Sequence, residues 1–279
     1  MSQDPFVREV LEASSRSDQY PFNYISGQVL LNLAQKYSLD PGTAQELTLE
    51  QGINLERYLR NYQTLDLDMQ LSLARSRVLL VGLGGLGGFV LEMLARCGAG
   101  YFWLADGDVF EESNLNRQLL CTMPGLGKPK SKAARERIPL INPFSRVVKS
   151  MDFLGPSDLP GLIPQVDLVL DCLGGTEFRM SLLQSAQQYQ RPLVTGFLAG
   201  RTGLVSTVFP GDKNPAHFWG KSREQGAEIP LGNVVTTVAM VASIQAEEAL
   251  AIISGQEPRL RSQVFMGDLS SGTFQTLKL

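Results

Sequence analysis

Residues 77–87 read Arg-Val-Leu-Leu-Val-Gly-Leu-Gly-Gly-Leu-Gly, an apolar run that passes without a break into a cluster of glycines. An unbroken Val/Leu run suits a strand covered on both faces. Glycines directly after such a strand let the chain turn tightly and open a helix whose amides face a phosphate. The helix is expected through FVLEMLARCG, with Val90, Leu91 and Leu94 on one face and Gly98 as its stop. YFWLADGD (101–108) then reads as a second strand running into an acidic turn, and further strands are expected near Val147, at 166–172 and at 191–197. Strands that alternate with helices predict an α/β fold, a doubly wound and mostly parallel sheet with a Rossmann-like nucleotide-binding half.

The flanks complete the architecture. After residue 200, strands are expected at 203–209, 263–269 and 272–279, around a long helix over roughly 233–254, giving a C-terminal mixed-sheet extension. Before residue 56 the pattern is a small N-terminal helical appendage: VLLNLAQKYSL has helical spacing, Asp40-Pro41-Gly42 breaks it, and TAQELTLEQGI starts another short helix. The expected division is therefore an appendage over 1–55, without a catalytic constellation and suited to packing or partner docking, and one domain over 56–279.

Composition narrows the function classes. The 279 residues are 43% hydrophobic and 19% charged, enough to bury a sizeable core. The 25 Lys+Arg against 28 Asp+Glu leave a net charge of −3, which argues against nucleic acid or an anionic membrane as the main partner. Cys97, Cys121 and Cys172 form no CxxC pair, so neither a disulfide framework nor a cysteine-based zinc site is expected, and a reducing cytoplasm is the default. The start, MSQDPFVREV, has no basic n-region or apolar h-region, so no signal peptide is expected. The uncharged run Ile229 to Ala246 contains Pro230, Gly232, Asn233, two threonines and a serine, and reads as a buried helix, not a membrane span.

The chemistry-bearing residues cluster after the first strand. Gly82, Gly84, Gly85 and Gly87, with Leu86 between them, form the phosphate-facing turn, and Asp106 follows about 20 residues on, placed to accept hydrogen bonds from a ribose. After Asp106-Gly107-Asp108 come Ser113-Asn114-Leu115-Asn116-Arg117-Gln118 and then Gly127-Lys128-Pro129-Lys130. Ser113 or Asn114 is placed to cap a short helix carrying Arg117 and Gln118. A hydride-transferring enzyme needs no Arg or Lys beside the phosphates, whereas an enzyme acting on ATP must neutralise phosphate charge as a nucleophile attacks.

From about Arg57 to the end, the chain resembles the ubiquitin-activating-like adenylyltransferases of the MoeB/ThiF/HesA type. The matching pieces are RYLRN (57–61), RVLLVGLGGLG (77–87), LADGDVFEESNLNRQ (104–118), GKPKSKAA (127–134), INP (141–143), VDLVLDC (166–172) and the helix ending in AEEALAIISG. The resemblance implies an adenylation domain. The C-terminal carboxylate of a small ubiquitin-like sulfur carrier with a Gly-Gly tail attacks the α-phosphate of MgATP, in a pathway to molybdenum or tungsten cofactor, thiamine or a related product. It places the glycines on the phosphates, Asp106 on the ribose, and Asn114, Arg117, Gln118 and Lys130 on the triphosphate. Because Gly174 stands where the family has a second aspartate, Asp171 or Asp108 is left as the candidate to help a magnesium ion through water. Arg60 matches an arginine that reaches a partner's ATP, so a homodimer is implied, with Arg60, Arg117 and Lys130 as the catalytic cations.

Three departures from that pattern are visible. Where the family reads Asp-Cys-Thr-Asp-Asn, this chain reads Asp171-Cys172-Leu173-Gly174-Gly175, so a carboxylate near the metal is replaced by Gly174. The paired CxxC motifs of many relatives are absent and His217 is the sole histidine, so no zinc is expected. No cysteine follows 191–197 at a place suited to thioester transfer, and Cys172 reads as a small buried hydrophobe. Phe102 and Trp103 read as core; Phe218 and Trp219 suit either a carrier tail or packing; Arg179 and Arg201 suit either the cleft or the solvated surface. A carrier-docking, nucleotide-binding scaffold with little turnover is the alternative that Gly174 favours. A nicotinamide oxidoreductase ranks last, because it leaves NLNRQ and GKPK unexplained.

Overall fold

The computed structural model describes residues 4–175, 177–216 and 228–279. The chain opens with α1 (Pro5–Ala13), whose N-cap Asp4 accepts from the Phe6 amide while Pro5 occupies the first turn. Two short strands, β1 (Ser15–Arg16) and β2 (Asn23–Ile25), lead into α2 (Gly27–Lys36). Asp40-Pro41-Gly42, a breaker by its sequence, starts the next helix as well: Asp40 caps α3 (Pro41–Glu50) by accepting from the Gly42 and Thr43 amides. β3 (Ile53–Leu55) then pairs parallel with β2, which is antiparallel to β1. The N-terminal part is thus three helices around a three-stranded sheet, where the sequence predicts helices alone. Strands of two or three residues are too short to show alternation.

After α4 (Leu67–Arg75) the chain enters an eight-stranded sheet. Its strands are β4 (Arg77–Val81), β5 (Tyr101–Ala105), β6 (Arg146–Met151), β7 (Leu168–Asp171), β8 (Leu193–Ala199), β9 (Thr202–Val208), β10 (Gln263–Asp268) and β11 (Thr273–Lys278). Their spatial order is β11-β10-β9-β8-β7-β4-β5-β6. The five strands from β6 to β8 are mutually parallel and β8 to β11 pair antiparallel, with helices between β9 and β10, so the sheet is mostly parallel with the mixed extension that the sequence pattern predicts. The chain adds β5 and β6 on one side of β4 and β7 and β8 on the other, and this switch point between β4 and β7 opens a crevice beyond the strands' carboxyl ends.

The helices between the strands are α5 (Gly85–Cys97), α6 (Lys130–Ile141), α7 (Leu159–Leu162), α8 (Glu177–Gln188), α9 (Glu228–Leu231) and α10 (Val235–Ile253). β4 shows why the sheet sits between two layers. Val78 and Leu80 pack with α5, α6 and α10, while Leu79 and Val81 pack with α7 and α8. α5 stops at Gly98, whose φ of 99° is left-handed. α10 is long and apolar enough to cross a membrane by length and composition. It lies instead against α5, β8 and β9, and seats Gln245 and Glu248 in buried hydrogen bonds to the Asp171 carbonyl and the Thr207 hydroxyl.

The N-terminal part shares a core with the sheet domain. Phe6, Val10, Ile25, Leu30, Ile53 and Leu55 pack with Tyr58 and Phe144. Arg146 stacks on Tyr101 and donates to Thr43, and its guanidinium is paired with Asp40.

Candidate active site

The glycine turn is built by two close approaches. Gly82 has φ 91°, and a Cβ there would lie 2.6 Å from the Cys172 carbonyl oxygen, so β4 and β7 end side by side only because the residue is glycine. A Cβ on Gly87 would lie 1.8 Å from the Gly82 carbonyl oxygen, so the first turn of α5 can tuck against the end of β4. Gly84, Gly85 and Leu86 then line a cleft of about 580 Å³ at the switch point, together with Asp106, Asp108, Arg117, Gln118 and Lys130. Gly87 itself is not on the wall; its part is the close approach.

Asp106 follows β5 directly. Its Oδ2 accepts from the Leu83 amide at 2.6 Å and its Oδ1 from the Asp108 amide at 2.9 Å. Each oxygen keeps a lone pair for a ligand hydroxyl. Burial pushes the Asp106 carboxyl up from its ordinary range, although both amide bonds and Lys130 act the other way. Lys130, at the start of α6, is 5% exposed, and its Nζ donates to Asp108 Oδ2 at 2.9 Å. A short bridge between Val109 and Pro129, with the Lys130 amide bonded to the Asp108 carbonyl at 3.0 Å, ties the DGD turn to GKPK and fixes that pair.

Arg117 and Gln118 stand on the turn after a 3-10 segment at Glu112–Asn114. Arg117 Nη1 donates to the Ser113 carbonyl at 2.9 Å and to Asn116 Oδ1 at 3.0 Å, leaving the rest of the guanidinium toward the cleft. Gln118 is 7% exposed and its Oε1 is buried without a partner. An orphaned acceptor on a cleft wall is what a missing ligand leaves behind. Gly84 and Gln118 are neighbours: a Cβ on that glycine would sit 3.6 Å from Gln118 Nε2.

Three of the expected site residues are placed elsewhere. Asn114 does not line the cleft. Its side chain accepts from the Glu111 amide and its carbonyl from the Arg117 and Gln118 amides, so it closes the turn that presents them and caps no helix that carries them. Asp171 is 0% exposed, beneath the cleft floor, where it accepts from Arg179 Nη1 at 2.6 Å and from the Thr195 hydroxyl at 2.7 Å. Arg60 is exposed on the turn after Tyr58, away from the cleft lining. Arg179 is neither a cleft cation nor a surface charge: 3% exposed, it donates to Asp171 and to the Gly175 and Gly196 carbonyls, pinning the loop that carries Gly174. Arg201 is exposed. His217, Phe218 and Trp219 lie outside the described residues.

The apolar wall escaped sequence reasoning. Phe153, Leu154, Leu173, Phe178, Leu198 and Val238 line the cleft from five different segments, as does Asn233. Only the positions of Leu173 and Phe178 shortly after β7 give a local signal for any of them. Gly174 lines the cleft too, is exposed, and has nothing within 4 Å of where its Cβ would be. Burial pushes the Cys172 thiol far up, with the neighbouring Asp171 carboxylate adding to the shift, which disfavours a thiolate there. Cys97 and Cys121 are raised by burial as well. Among the described residues there is no group of three or more His, Cys, Asp or Glu side chains able to hold a metal.

Comparison with known proteins fits this geometry. Molybdopterin-synthase adenylyltransferase of Escherichia coli is 32% identical over 77% of this chain and 87% of its own length. The sulfur carrier protein ThiS adenylyltransferase of Escherichia coli is 31% identical, over 68% of this chain and 77% of its own. Among solved structures, E. coli MccB with ATP superposes with a TM-score of 0.68 at 20% identity, covering 80% of this chain and 70% of that one, which is a likeness of fold. The ThiF family pattern matches residues 58–279, from Tyr58 through the last strand, and the chain belongs to the ThiF family.

Proposed function

We propose that the protein is an ATP-dependent adenylyltransferase that activates the C-terminal carboxylate of a small ubiquitin-like sulfur carrier as an acyl-adenylate. The observation that carries the reading is the convergence of the glycine turn, Asp106, Arg117, Gln118 and the Lys130–Asp108 pair on one cleft. An acid for a ribose and two cations for phosphates is the set that nucleotidyl transfer needs. The names of the relatives support the substrate class, and the finer pathway, molybdenum or tungsten cofactor, thiamine or a related product, follows from them as part of the proposal.

The step needs no protein nucleophile. A carboxylate oxygen of the carrier bonds to the α-phosphorus as the bond to the pyrophosphate oxygen breaks, and pyrophosphate leaves with the electron pair. The carboxylate is already ionised at neutral pH, so no base is required. Arg117 and Lys130 hold the phosphates in line and offset the charge that builds on the leaving group. Asp106 orients the ribose, and Asn114 acts through the backbone turn that it closes. A magnesium ion carried by the phosphates would find Asp108 as its one carboxylate with a free oxygen in the cleft among the described residues, alongside waters, which suits that ion's habits. It would supply charge neutralisation; Asp171, locked to Arg179, is unsuited to hold it. Arg60, exposed and outside its own cleft, is assigned to a partner's cleft in a homodimer. The three free cysteines accord with a reducing, cytoplasmic setting.

The second reading, a nucleotide-binding scaffold, is favoured by Gly174 alone. Calorimetry with MgATP and with metal-free ATP separates the two. The adenylation reading expects Mg-dependent binding that an Arg117→Ala variant weakens at least about tenfold, the loss of one charge-assisted contact. Binding indifferent to magnesium supports the scaffold, and no binding of ATP removes both.

A further inference from the structure

Asn233 stands immediately before α10, and its side chain is half-buried on the cleft wall. Its Oδ1 is buried and has no hydrogen-bond partner. The amide does not cap α10 either: the N-cap is Val234, and that helix has no side-chain cap. Its backbone is held rigidly, because Asn233 bridges Gly200 at the tip of the β8–β9 hairpin and the Gly200 amide donates to the Gly232 carbonyl at 2.7 Å. The Thr237 hydroxyl donates to the Gly200 carbonyl at 3.1 Å and locks the same corner. A fixed backbone that presents an unsatisfied acceptor costs stability unless a ligand supplies the donor.

The donors available in this cleft are few. Phosphates and a carboxylate offer none, and the ribose hydroxyls fall to Asp106. The remaining donor on the nucleotide is the adenine amino group, whose pairing with Asn233 a measurement of MgATP binding would reveal. A tail of glycines carries no side-chain donor, only its backbone N–H groups. Gly174 lines the same cleft and leaves open space there, since a Cβ on it would meet nothing within 4 Å. Leu231, Val234 and Val235, exposed beside Asn233 in the chain, give its surroundings an apolar character. We propose that Asn233 is a specificity-determining residue whose Oδ1 accepts the N–H of the last peptide unit of the acyl donor's C-terminal tail, in the part of the cleft that Gly174 leaves open. This inference rests on the adenylation reading and names how that site reads its second substrate.

The test compares two synthetic tail peptides, one ending in Gly-Gly and one ending in Gly-glycolate, in which an ester oxygen replaces the last N–H. Both are assayed in ATP-dependent pyrophosphate exchange, with MgATP binding measured in parallel on wild type and Asn233→Ala. Wild type is expected to prefer the amide tail by about tenfold or more in kcat/KM, because the ester leaves the buried oxygen unpaired. In Asn233→Ala the preference is expected to fall to about one with MgATP binding unchanged. Thermal melting of the variant reports that it is folded, and the ratio of tails within one preparation is insensitive to the fraction active. A preference retained by Asn233→Ala, or a wild type that accepts both tails equally, overturns the inference and leaves the adenylation reading standing. A loss of MgATP affinity in Asn233→Ala assigns the oxygen to the nucleotide and also overturns it. Wild type that binds MgATP yet exchanges with neither tail overturns the adenylation reading and the inference with it.

Discussion

A single methyl group separates the two glycine positions that the cleft depends on most. At Gly87 a Cβ would press into the Gly82 carbonyl at 1.8 Å, so Gly87→Ala is expected to cost about 3 kcal/mol in urea unfolding as α5 is pushed off β4. An unfolding midpoint that does not move would show that the turn is not packed as described. At Gly174 the opposite holds. The open space and ordinary backbone predict that Gly174→Asp folds within about 0.5 kcal/mol of wild type. It should also make ATP binding more dependent on magnesium, by adding a carboxylate to the cleft; a dependence that stays flat in calorimetry would mean that the side chain cannot reach the ion. Tyr58 gives a residue whose titration is readable. Burial in the joint between the N-terminal part and the sheet domain pushes its phenol up to about 12. The folded state then keeps a proton that the unfolded chain releases near pH 10, so its contribution to stability is whole below pH 10 and is lost as pH rises toward 12. Denaturation midpoints followed over that range should fall for wild type more steeply than for Tyr58→Phe, and equal slopes would refute the assignment.

Among the elements, the turn that carries Arg60 is held by the N-terminal part. Phe22, on the approach to β2, meets Tyr62 edge-on with centroids 4.7 Å apart, and Tyr20 stacks on Phe22 and touches both Tyr24 and Tyr62. Tyr62 is two residues from Arg60. Phe22→Ala should therefore cost about 3 kcal/mol and speed hydrogen exchange over 59–65, while β4 and α5 keep their protection. If exchange quickens evenly along the whole chain, the cluster stabilises the fold without gripping that turn. This coupling was not legible in the sequence, because no periodicity links Phe22 to Tyr62. The sheet strands were legible, because β4, β5 and β7 are buried on both faces and read as near-continuous apolar runs, with charges only at the ends, Arg77 of β4 and Asp171 of β7. The same reasoning failed for β1 to β3, which are two or three residues long and too short to carry a pattern.

For the molecule as a whole, legibility follows chain distance. Asp106, Lys130, Arg117 and Gln118 were readable because each lies within a short motif after one strand. Asp171 was misread because the end of β7 looks the same in sequence whether its carboxylate faces the cleft or a buried arginine, and Arg179 decides between them from the following helix. Asn233 carried no local signal at all; only the fold brings it to the cleft. If Arg60 serves a partner's cleft, Arg60→Ala and Arg117→Ala are each inactive alone, but mixing the two should restore about a quarter of wild-type exchange through heterodimers with one complete site. The most direct test of the central claim is ATP-dependent pyrophosphate exchange with a ubiquitin-like carrier ending in Gly-Gly, run beside the same carrier lacking its last two residues. The adenylation account predicts exchange with the intact tail, none with the truncated one, and loss of exchange in Arg117→Ala; tight MgATP binding with no exchange on the intact tail would contradict it.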